Sequence, residues 1–251
     1  MKKFKIHYTF WIVSLLIILS GLFIDFLLIV FVLIIHEIGH FTFIKLFNYK
    51  ITDIKLYPFG GVILYPIKND FIYKELLITY AGVLFNLFFF IVFKLINLNF
   101  LSQINLYFFV INLLPISPLD GGKGLILLLS IFLPIKISRF IGYVSSIIFS
   151  IILIMLVKKT DGLYPYFCIL HFIRTNITSL YKIKEEHQHF LLLKYLFPNE
   201  KLRVFVTKFW SANPLSNLFF GKNLIFDYDT FTVIEYDVLE KHFKNKKRLL
   251  N

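Results

Sequence analysis

An apolar run from Tyr8 to Phe47 constrains the fold of this chain more than any other feature of its sequence. The run is interrupted by Asp25 and by the polar groups at positions 36–40. A helix that spans a bilayer needs about 20 residues, so this run is long enough for two spans. We place them at residues 6–24 and 26–47, with Asp25 near the turn that joins them.

The composition agrees with a membrane protein. Apolar residues make up 58% of the 251 positions and charged residues 17%, whereas soluble domains have about 45–50% and about 25%. This excess is too large for one globular core, because the surface of such a domain needs polar cover. The same abundance of apolar side chains excludes a disordered chain. The single Cys168 excludes an intrachain disulfide and a Cys-based zinc cluster.

Four further apolar segments complete a predicted fold that is mainly α, a polytopic membrane protein with about six transmembrane helices. These segments cover residues 75–96, 101–118, 138–157 and 161–180. Lys and Arg are frequent in the connections 48–74 and 119–139, which predicts that both termini lie in the cytoplasm. Lys158 and Lys159, on the opposite side, are the exception to this bias.

Two regions depart from a plain helical membrane protein. In the connection 51–66, strand-like residues flank Gly60 and Gly61, which predicts a β-hairpin that dips into the membrane surface. After residue 180 the composition becomes polar, and short strand-like runs alternate with turn residues. We therefore divide the chain into a transmembrane domain, residues 1–180, and a small α+β cytoplasmic domain, residues 181–251.

The net charge of +12 is spread along the chain and does not gather in one patch. In a membrane protein such charge marks the cytoplasmic side and favours anionic lipid. We therefore expect the lipid bilayer as a partner and no nucleic acid. The C-terminal domain is near the lower size limit for independent stability, so it is expected to lean on the membrane domain or on a second copy of the chain, as a homo-oligomer.

The segment 36–40 reads H-E-I-G-H and lies inside the second predicted span. Ionisable groups in a span are costly and call for a functional explanation. His36 and His40 share one face of a helix, so both imidazoles can bind one metal ion. Glu37 is rotated by about 100° from His36, where it can take a proton from water and deliver it to a leaving amine. The alternative is a polar interhelical cluster without a metal.

A catalytic zinc commonly has three protein ligands and an open position, so this motif is one ligand short. Asp120 is the candidate for the third ligand, because it and Glu37 are the two acidic residues of the first 157 positions that lie in apolar surroundings. In the segment 112–122, two prolines and two glycines break the fourth predicted helix and let a carboxylate turn towards a cavity. The alternative is a helix that ends at the cytoplasmic surface with a solvated Asp120.

Together, H-E-I-G-H at 36–40 and N-L-L-P-I-S-P-L-D-G at 112–121 resemble the site-2 protease family of intramembrane metalloproteases, peptidase family M50, and above all its sporulation branch. Y-P-F-G-G at 57–61 resembles the Gly-Gly hairpin near the active site of that branch. A-G-V-L-F-N at 81–86 resembles its third-helix motif, with Val83 where the motif usually has Pro.

This resemblance implies an intramembrane zinc endopeptidase with one Zn²⁺ per chain. It assigns His36, His40 and Asp120 as ligands and Glu37 as general base and acid. Zinc in particular is implied by the family, because two His and one carboxylate also suit iron or cobalt.

The resemblance also assigns residues to the substrate. It implies that Asn112 and Asn86 contact the substrate or the reaction oxyanion. A substrate strand is expected to pair with an edge of the hairpin that contains Gly60 and Gly61.

The same resemblance implies regulated proteolysis of a membrane-tethered pro-sigma factor during sporulation, on the mother-cell side of the outer forespore membrane. Inhibitory membrane proteins are implied as partners. Members of this branch carry a nucleotide-sensing domain of the cystathionine-β-synthase (CBS) type. A full CBS-type domain has a pair of repeats, and residues 201–251 are enough for about half of this pair. A truncated CBS-like domain is therefore expected.

Other functions remain open on the sequence alone. The same protease could act on an anti-sigma factor or a signal-peptide remnant. A membrane metal transporter or a non-proteolytic metal-binding scaffold is a further alternative. Transporters often contain paired broken helices, whereas this sequence has one clear break, at 112–122, and a scaffold would be expected to lose Glu37 before the ligands.

Overall fold

The computed structural model describes the greater part of the chain, in two compact units. The first unit comprises Met1–Ile67, Lys74–Leu114 and Leu119–Gly121, and the second comprises Lys68–Tyr73, Pro115–Pro118 and Gly122–Asn251. The described residues are 3–6, 8, 11, 15, 19, 21, 23–57, 60–65, 72–157, 164–196, 204–207, 215, 218, 222–225, 233–234, 236, 238–240 and 242–243.

Three helices build most of the first unit: α1 (Phe23–Leu46), α2 (Ile72–Leu95) and α3 (Asn99–Leu113). Each of the two long helices has an acidic residue in its first turn and a lysine in its last turn, which complements the helix dipole. Asn48 and Asn97 follow α1 and α2 in the left-handed conformation that commonly ends a helix.

Helices α1 and α2 approach closely where small residues face each other. A Cβ atom on Gly39 would lie 2.6 Å from the carbonyl oxygen of Ala81 and 2.9 Å from the Cα of Gly82. Small residues at such a crossing let two backbones pack without intervening side chains. The crossing brings the H-E-I-G-H segment of α1 against the middle of α2.

A three-stranded sheet of order β1-β2-β3 completes the first unit, with β1 (Lys3–Ile6), β2 (Asp53–Tyr57) and β3 (Gly60–Leu64). Strands β2 and β3 are antiparallel, which confirms the predicted hairpin, while β1 pairs in parallel with β2. Gly60 and Gly61 are the first two residues of β3, and residues 58–59 lie outside the described part of the chain. Ile54 and Ile63 of the hairpin pack on a core that includes Ile44 of α1 and Ile78 of α2.

The second unit contains most of α4 (Asp120–Phe132), with α5 (Ile135–Leu156) and α6 (Tyr164–Leu196). A second sheet has the order β4-β5-β6, formed by β4 (Val204–Thr207), β5 (Lys222–Ile225) and β6 (Val233–Ile234). The hydrophobic core of the second unit contains five buried residues: Ile135, Phe190, Leu191, Leu218 and Leu239.

Among the described residues, α1, α2 and α5 are long and apolar enough to cross a membrane. The predicted first span, 6–24, lies largely outside the described part of the chain. Helix α3 ends at Leu113, earlier than the predicted limit of 118, because Leu114 precedes a proline and adopts an extended conformation. The total of six spans and the cytoplasmic position of both termini therefore stay predictions.

The predicted domain boundary at residue 180 falls inside α6, which continues to Leu196. The division into residues 1–180 and 181–251 stays a prediction, as does a truncated CBS-like domain. Several further residues of the sequence analysis, including Lys158 and Lys159, lie outside the part of the chain that is described.

Candidate metal centre

Helix α1 presents His36 and His40 on one face, as the spacing of four residues requires. Their Nε2 atoms lie 3.1 Å apart. His36 is 5% exposed, and the side chain of His40 is 13% exposed. The two imidazoles therefore direct one nitrogen each to a common point with little access to water.

Asp120, the first residue of α4, brings a carboxylate to the same point. Its Oδ2 atom lies 3.0 Å from Nε2 of His36 and 3.2 Å from Nε2 of His40. The next residue, Gly121, packs directly against the carbonyl oxygens of Leu113 and Leu114 at the end of α3. A larger residue would overlap these oxygens, so this glycine lets the start of α4 approach closely enough to place the carboxylate.

The three atoms fit a divalent metal ion. A tetrahedral ion with bonds of about 2.0–2.1 Å holds its ligand atoms about 3.3 Å apart, which is close to the separations of 3.0–3.2 Å found here. His36, His40 and Asp120 each offer one ligand atom to this group. When both Nε2 atoms carry lone pairs, three acceptors converge and repel one another unless a cation lies between them.

The hydrogen bond at Nδ1 of each imidazole favours the form in which Nε2 carries a lone pair. Nδ1 of His40 lies 2.7 Å from the carbonyl oxygen of Ile78, and Nδ1 of His36 lies 2.7 Å from Oδ1 of Asn86. Both partners are acceptors, so each Nδ1 donates a proton to its partner, and each Nε2 can present its lone pair to a metal ion at the common point. Hydrogen bonds of this kind orient the histidine ligands of metal sites.

Gly82 of α2 borders the two imidazoles. A Cβ atom at this position would lie 2.5 Å from Nε2 of His40 and 2.8 Å from Nε2 of His36. Any side chain here would therefore occupy the space next to both ligand atoms, and glycine is the residue that leaves it open.

Glu37 contacts the hairpin and does not belong to the converging group. Its Oε1 atom accepts a hydrogen bond of 2.7 Å from the backbone N–H of Gly61. A Cβ atom on Gly61 would lie 2.7 Å from the carboxylate carbon and from Oε2 of Glu37. Strand β3 thus lies directly against the carboxylate that the sequence assigns as general base.

The remaining predicted site residues have different surroundings. Asn86 is fully buried behind His36. The Asn112 amide donates to the carbonyl oxygen of Phe108 within α3. Gly60 pairs with Tyr57 in the hairpin. Their contacts with substrate stay predictions.

Asn105 of α3 was not predicted from the sequence as a residue of the site. It is fully buried, and its Oδ1 atom accepts a hydrogen bond of 3.1 Å from Nδ2 of Asn86. The signal for this residue was present, because an amide inside an apolar segment needs a hydrogen-bond partner. Which partner it has could not be read from the pattern.

Comparison with known proteins finds a matching family model, a related sequence and a related structure. Residues 24–98 match the model of peptidase family M50. Stage IV sporulation protein FB of Bacillus subtilis (strain 168) is 29% identical over 212 residues, which are 80% of this chain and 74% of that protein. The site-2 protease from Methanocaldococcus jannaschii is 26% identical, with a TM-score of 0.52 over 74% of this chain and 90% of that chain.

The helical fold is similar to that of a site-2 protease, and it contains a buried group of residues that could hold a metal ion. More particularly, these matches support an intramembrane protease of the M50 type that is homologous to the Bacillus subtilis sporulation protein FB. The resemblance drawn from the sequence is thereby confirmed. The M50 peptidases are zinc metalloproteases, and the His36, His40 and Asp120 group fits that metal.

Proposed function

We propose that this chain is a zinc endopeptidase that cleaves a membrane-tethered protein substrate within or beside the bilayer. The convergence of Nε2 of His36, Nε2 of His40 and Oδ2 of Asp120 at 3.0–3.2 Å carries the proposal. Such a set of two imidazoles and one carboxylate leaves a fourth position open for the reaction.

The residues of the centre have two roles, metal binding and proton transfer. His36, His40 and Asp120 hold the metal, which when bound acts as a Lewis acid towards the scissile carbonyl and water. Glu37 takes the proton from the attacking water and passes it to the amine that leaves. Burial of His36 and Asp120 strengthens every charge interaction at the centre, because little water screens them.

We further propose that the substrate binds as an extended strand along β3. Within the described residues, β3 pairs with β2 on one side, so its other edge can accept a further strand. The bond from Gly61 to Glu37 supports this idea, because it brings that strand next to the general base. Pairing would hold the target segment of a helical substrate in the extended form that a peptidase attacks.

Asn112 is proposed to contact the substrate or the oxyanion. Its amide is partly buried near the end of α3, just before the turn that leads to Asp120. Asn86 contacts Nδ1 of His36 through its Oδ1 atom, which favours a role in orienting this ligand.

We propose a pro-sigma factor as the substrate, with inhibitory membrane proteins as regulators. The homology to a sporulation protein over 80% of the chain supports this assignment. An anti-sigma factor or a signal-peptide remnant is the alternative substrate for the same catalytic centre.

The test compares purified wild type with Glu37→Gln and Asp120→Ala in detergent. Asp25→Asn is the matched control, because it changes an exposed carboxylate of the same helix. Each protein is assayed for bound metal by elemental analysis, and for cleavage of a membrane-tethered pro-sigma factor, an anti-sigma factor and a signal-peptide remnant.

We expect wild type and Asp25→Asn to bind one zinc and to cleave the pro-sigma factor. Glu37→Gln should keep the metal and lose cleavage, whereas Asp120→Ala should lose both. Cleavage of another substrate alone would replace the proposed target and keep the enzyme. A wild-type protein that binds no metal would contradict the proposal.

A further inference from the structure

A line of three consecutive hydrogen bonds connects His36 to the backbone of α3. Nδ1 of His36 lies 2.7 Å from Oδ1 of Asn86, Nδ2 of Asn86 lies 3.1 Å from Oδ1 of Asn105, and Nδ2 of Asn105 lies 2.8 Å from the carbonyl oxygen of Leu101. The line begins at a candidate ligand on α1, crosses α2 and ends on α3.

We propose that Asn105 is a positioning residue that, through Asn86, keeps the proton of His36 on Nδ1 and its Nε2 lone pair directed to the metal. The inference rests on the proposed metal site. It assigns a role to a residue that contacts neither the metal nor the substrate.

The carbonyl oxygen of Leu101, at the end of the line, determines which group donates and which accepts in each hydrogen bond. A backbone carbonyl oxygen can only accept, so Asn105 must direct its NH₂ group to Leu101 and its oxygen to Asn86. Asn86 must then donate to Asn105 through its own NH₂ group, which leaves its oxygen facing His36. An oxygen at that place accepts a hydrogen bond from Nδ1–H, so the lone pair of Nε2 is available to the metal.

His36 needs this arrangement more than His40 does. Nδ1 of His40 faces the carbonyl oxygen of Ile78, a backbone group that cannot exchange its oxygen for a donor. Nδ1 of His36 faces a side-chain amide, which could turn by about 180° and present NH₂ in place of oxygen. The turned amide would favour the proton on Nε2, where it would block metal binding. Asn105 removes this alternative.

Burial of the two asparagine side chains favours a single orientation of each amide. Asn86 and Asn105 are both fully buried, so water is poorly placed to satisfy a turned amide. A buried polar group without a partner is unfavourable, and each member of such a network therefore depends on the next.

The first test replaces Asn105 by leucine, which has a similar size and no hydrogen-bonding group. Ser102→Ala is the matched control, because Ser102 is a buried residue of α3 that donates to the carbonyl oxygen of Phe90 on α2, outside the line. Zinc affinity of the full-length protein in detergent is measured by competition with a chelator. The visible absorption of the Co²⁺ form reports the ligand geometry.

We expect Asn105→Leu to weaken zinc binding by about 10–100-fold, the usual effect of losing a group that orients a metal ligand. Ser102→Ala should change the affinity by less than about twofold. An unchanged affinity in Asn105→Leu would overturn the inference and leave the proposed protease intact. Absence of metal from wild type would instead overturn both.

The second test asks whether a change at Asn86 restores the zinc binding that Asn105→Leu has weakened. In Asn86→Asp, the carboxylate can only accept from His36, so its orientation no longer depends on Asn105. The double variant Asn86→Asp, Asn105→Leu should therefore bind zinc at least about tenfold more tightly than Asn105→Leu alone. Independent losses that simply add would indicate a structural role and overturn the inference.

A measurement with Asn105 in place covers the case in which the leucine variant does not fold. In metal-free Asp120→Ala protein at alkaline pH, imidazoles are neutral and the carboxylate that faces Nε2 of His36 is gone, and ¹⁵N NMR distinguishes the two tautomers. We expect the resonance of His36, assigned by its loss when His36 is also replaced by Asn, to report a proton on Nδ1. A proton on Nε2 would overturn the inference.

Discussion

The backbone N–H of Gly61 donates a hydrogen bond of 2.7 Å to Oε1 of Glu37. A carboxylate in the second half of α1 is thus held by the strand at the edge of the hairpin. If a substrate strand pairs with this edge, it approaches the backbone that restrains the general base. Substrate binding and the position of Glu37 are therefore linked in the proposed mechanism.

Gly61→Ala should impair catalysis without loss of the metal. The new methyl group would lie 2.7 Å from the Glu37 carboxylate and displace it, and a displacement of about 1 Å can reduce the rate about 100-fold. Cleavage rate and zinc content are measured together. Leu64→Ala, an exposed residue at the other end of β3, is the control. Wild-type cleavage by Gly61→Ala would argue against a fixed Glu37.

Gly82→Ala should impair metal binding itself. Its methyl group would lie 2.5–2.8 Å from ring atoms of His40 and His36, so at least one imidazole must move away from the common point. We expect zinc affinity to fall at least about tenfold, measured by chelator competition. Leu84→Ala, exposed on the same helix, should bind zinc as wild type does. Tight zinc binding by Gly82→Ala would contradict the described geometry.

Tyr65→Phe should destabilise the attachment of the hairpin. The Tyr65 hydroxyl donates a hydrogen bond of 2.9 Å to Oε2 of the buried Glu75. A bond to a charged group contributes about 1.5–3 kcal/mol. Burial, followed by the Glu75 charge, raises the pKa of Tyr65 above its ordinary value of 10.0. The phenol therefore stays protonated in the folded protein.

The pH dependence of this contribution has a defined sign. Because the pKa of Tyr65 is raised in the folded state, the contribution is complete below about pH 10 and declines as the pH rises above it. Thermal unfolding in detergent should separate wild type from Tyr65→Phe at neutral pH, and less so in strong alkali. Tyr73→Phe, which changes an exposed tyrosine, is the control. Equal stability of Tyr65→Phe and wild type at neutral pH would refute this.

His187 should make the second unit sensitive to acid. Burial, with a smaller contribution from the positive charges of Lys136 and Arg139, lowers the pKa of His187 below its ordinary value of 6.5. The unfolded chain therefore takes up a proton at a pH where the folded chain does not. Stability is lost as the pH falls through about 6.5 towards the lower folded-state pKa.

His187→Gln should flatten this dependence. Glutamine lacks the titrating group but can still donate to the carbonyl oxygen of Leu215, which lies 2.8 Å from Nε2 of His187. Unfolding temperatures between about pH 5 and pH 7.5 give the slope. His171→Gln, which alters an exposed histidine of the same helix, should keep the wild-type slope. An unaltered slope in His187→Gln would place the acid sensitivity elsewhere.

Hydropathy and helical periodicity were sufficient for several features of the fold. The long apolar runs correctly predicted α1, α2 and α5, because lipid solvation acts on each segment independently of its neighbours. The hairpin at β2 and β3 was also correct, since its strand-forming residues are local. The parallel pairing of β1 with β2 was not anticipated, because it joins segments far apart in the chain.

In the candidate metal centre, too, local features were predictable and long-range contacts were not. The amino-acid pattern was enough to predict that His36 and His40 share a face and that Glu37 does not, because the helix repeat fixes these directions. The bond from Gly61 to Glu37, and the hydrogen bonds from His36 through Asn86 to Asn105, are visible only in the folded chain. These contacts depend on how closely α1, α2, α3 and the hairpin pack, and glycine, alanine and asparagine carry no local pattern that reveals their partners.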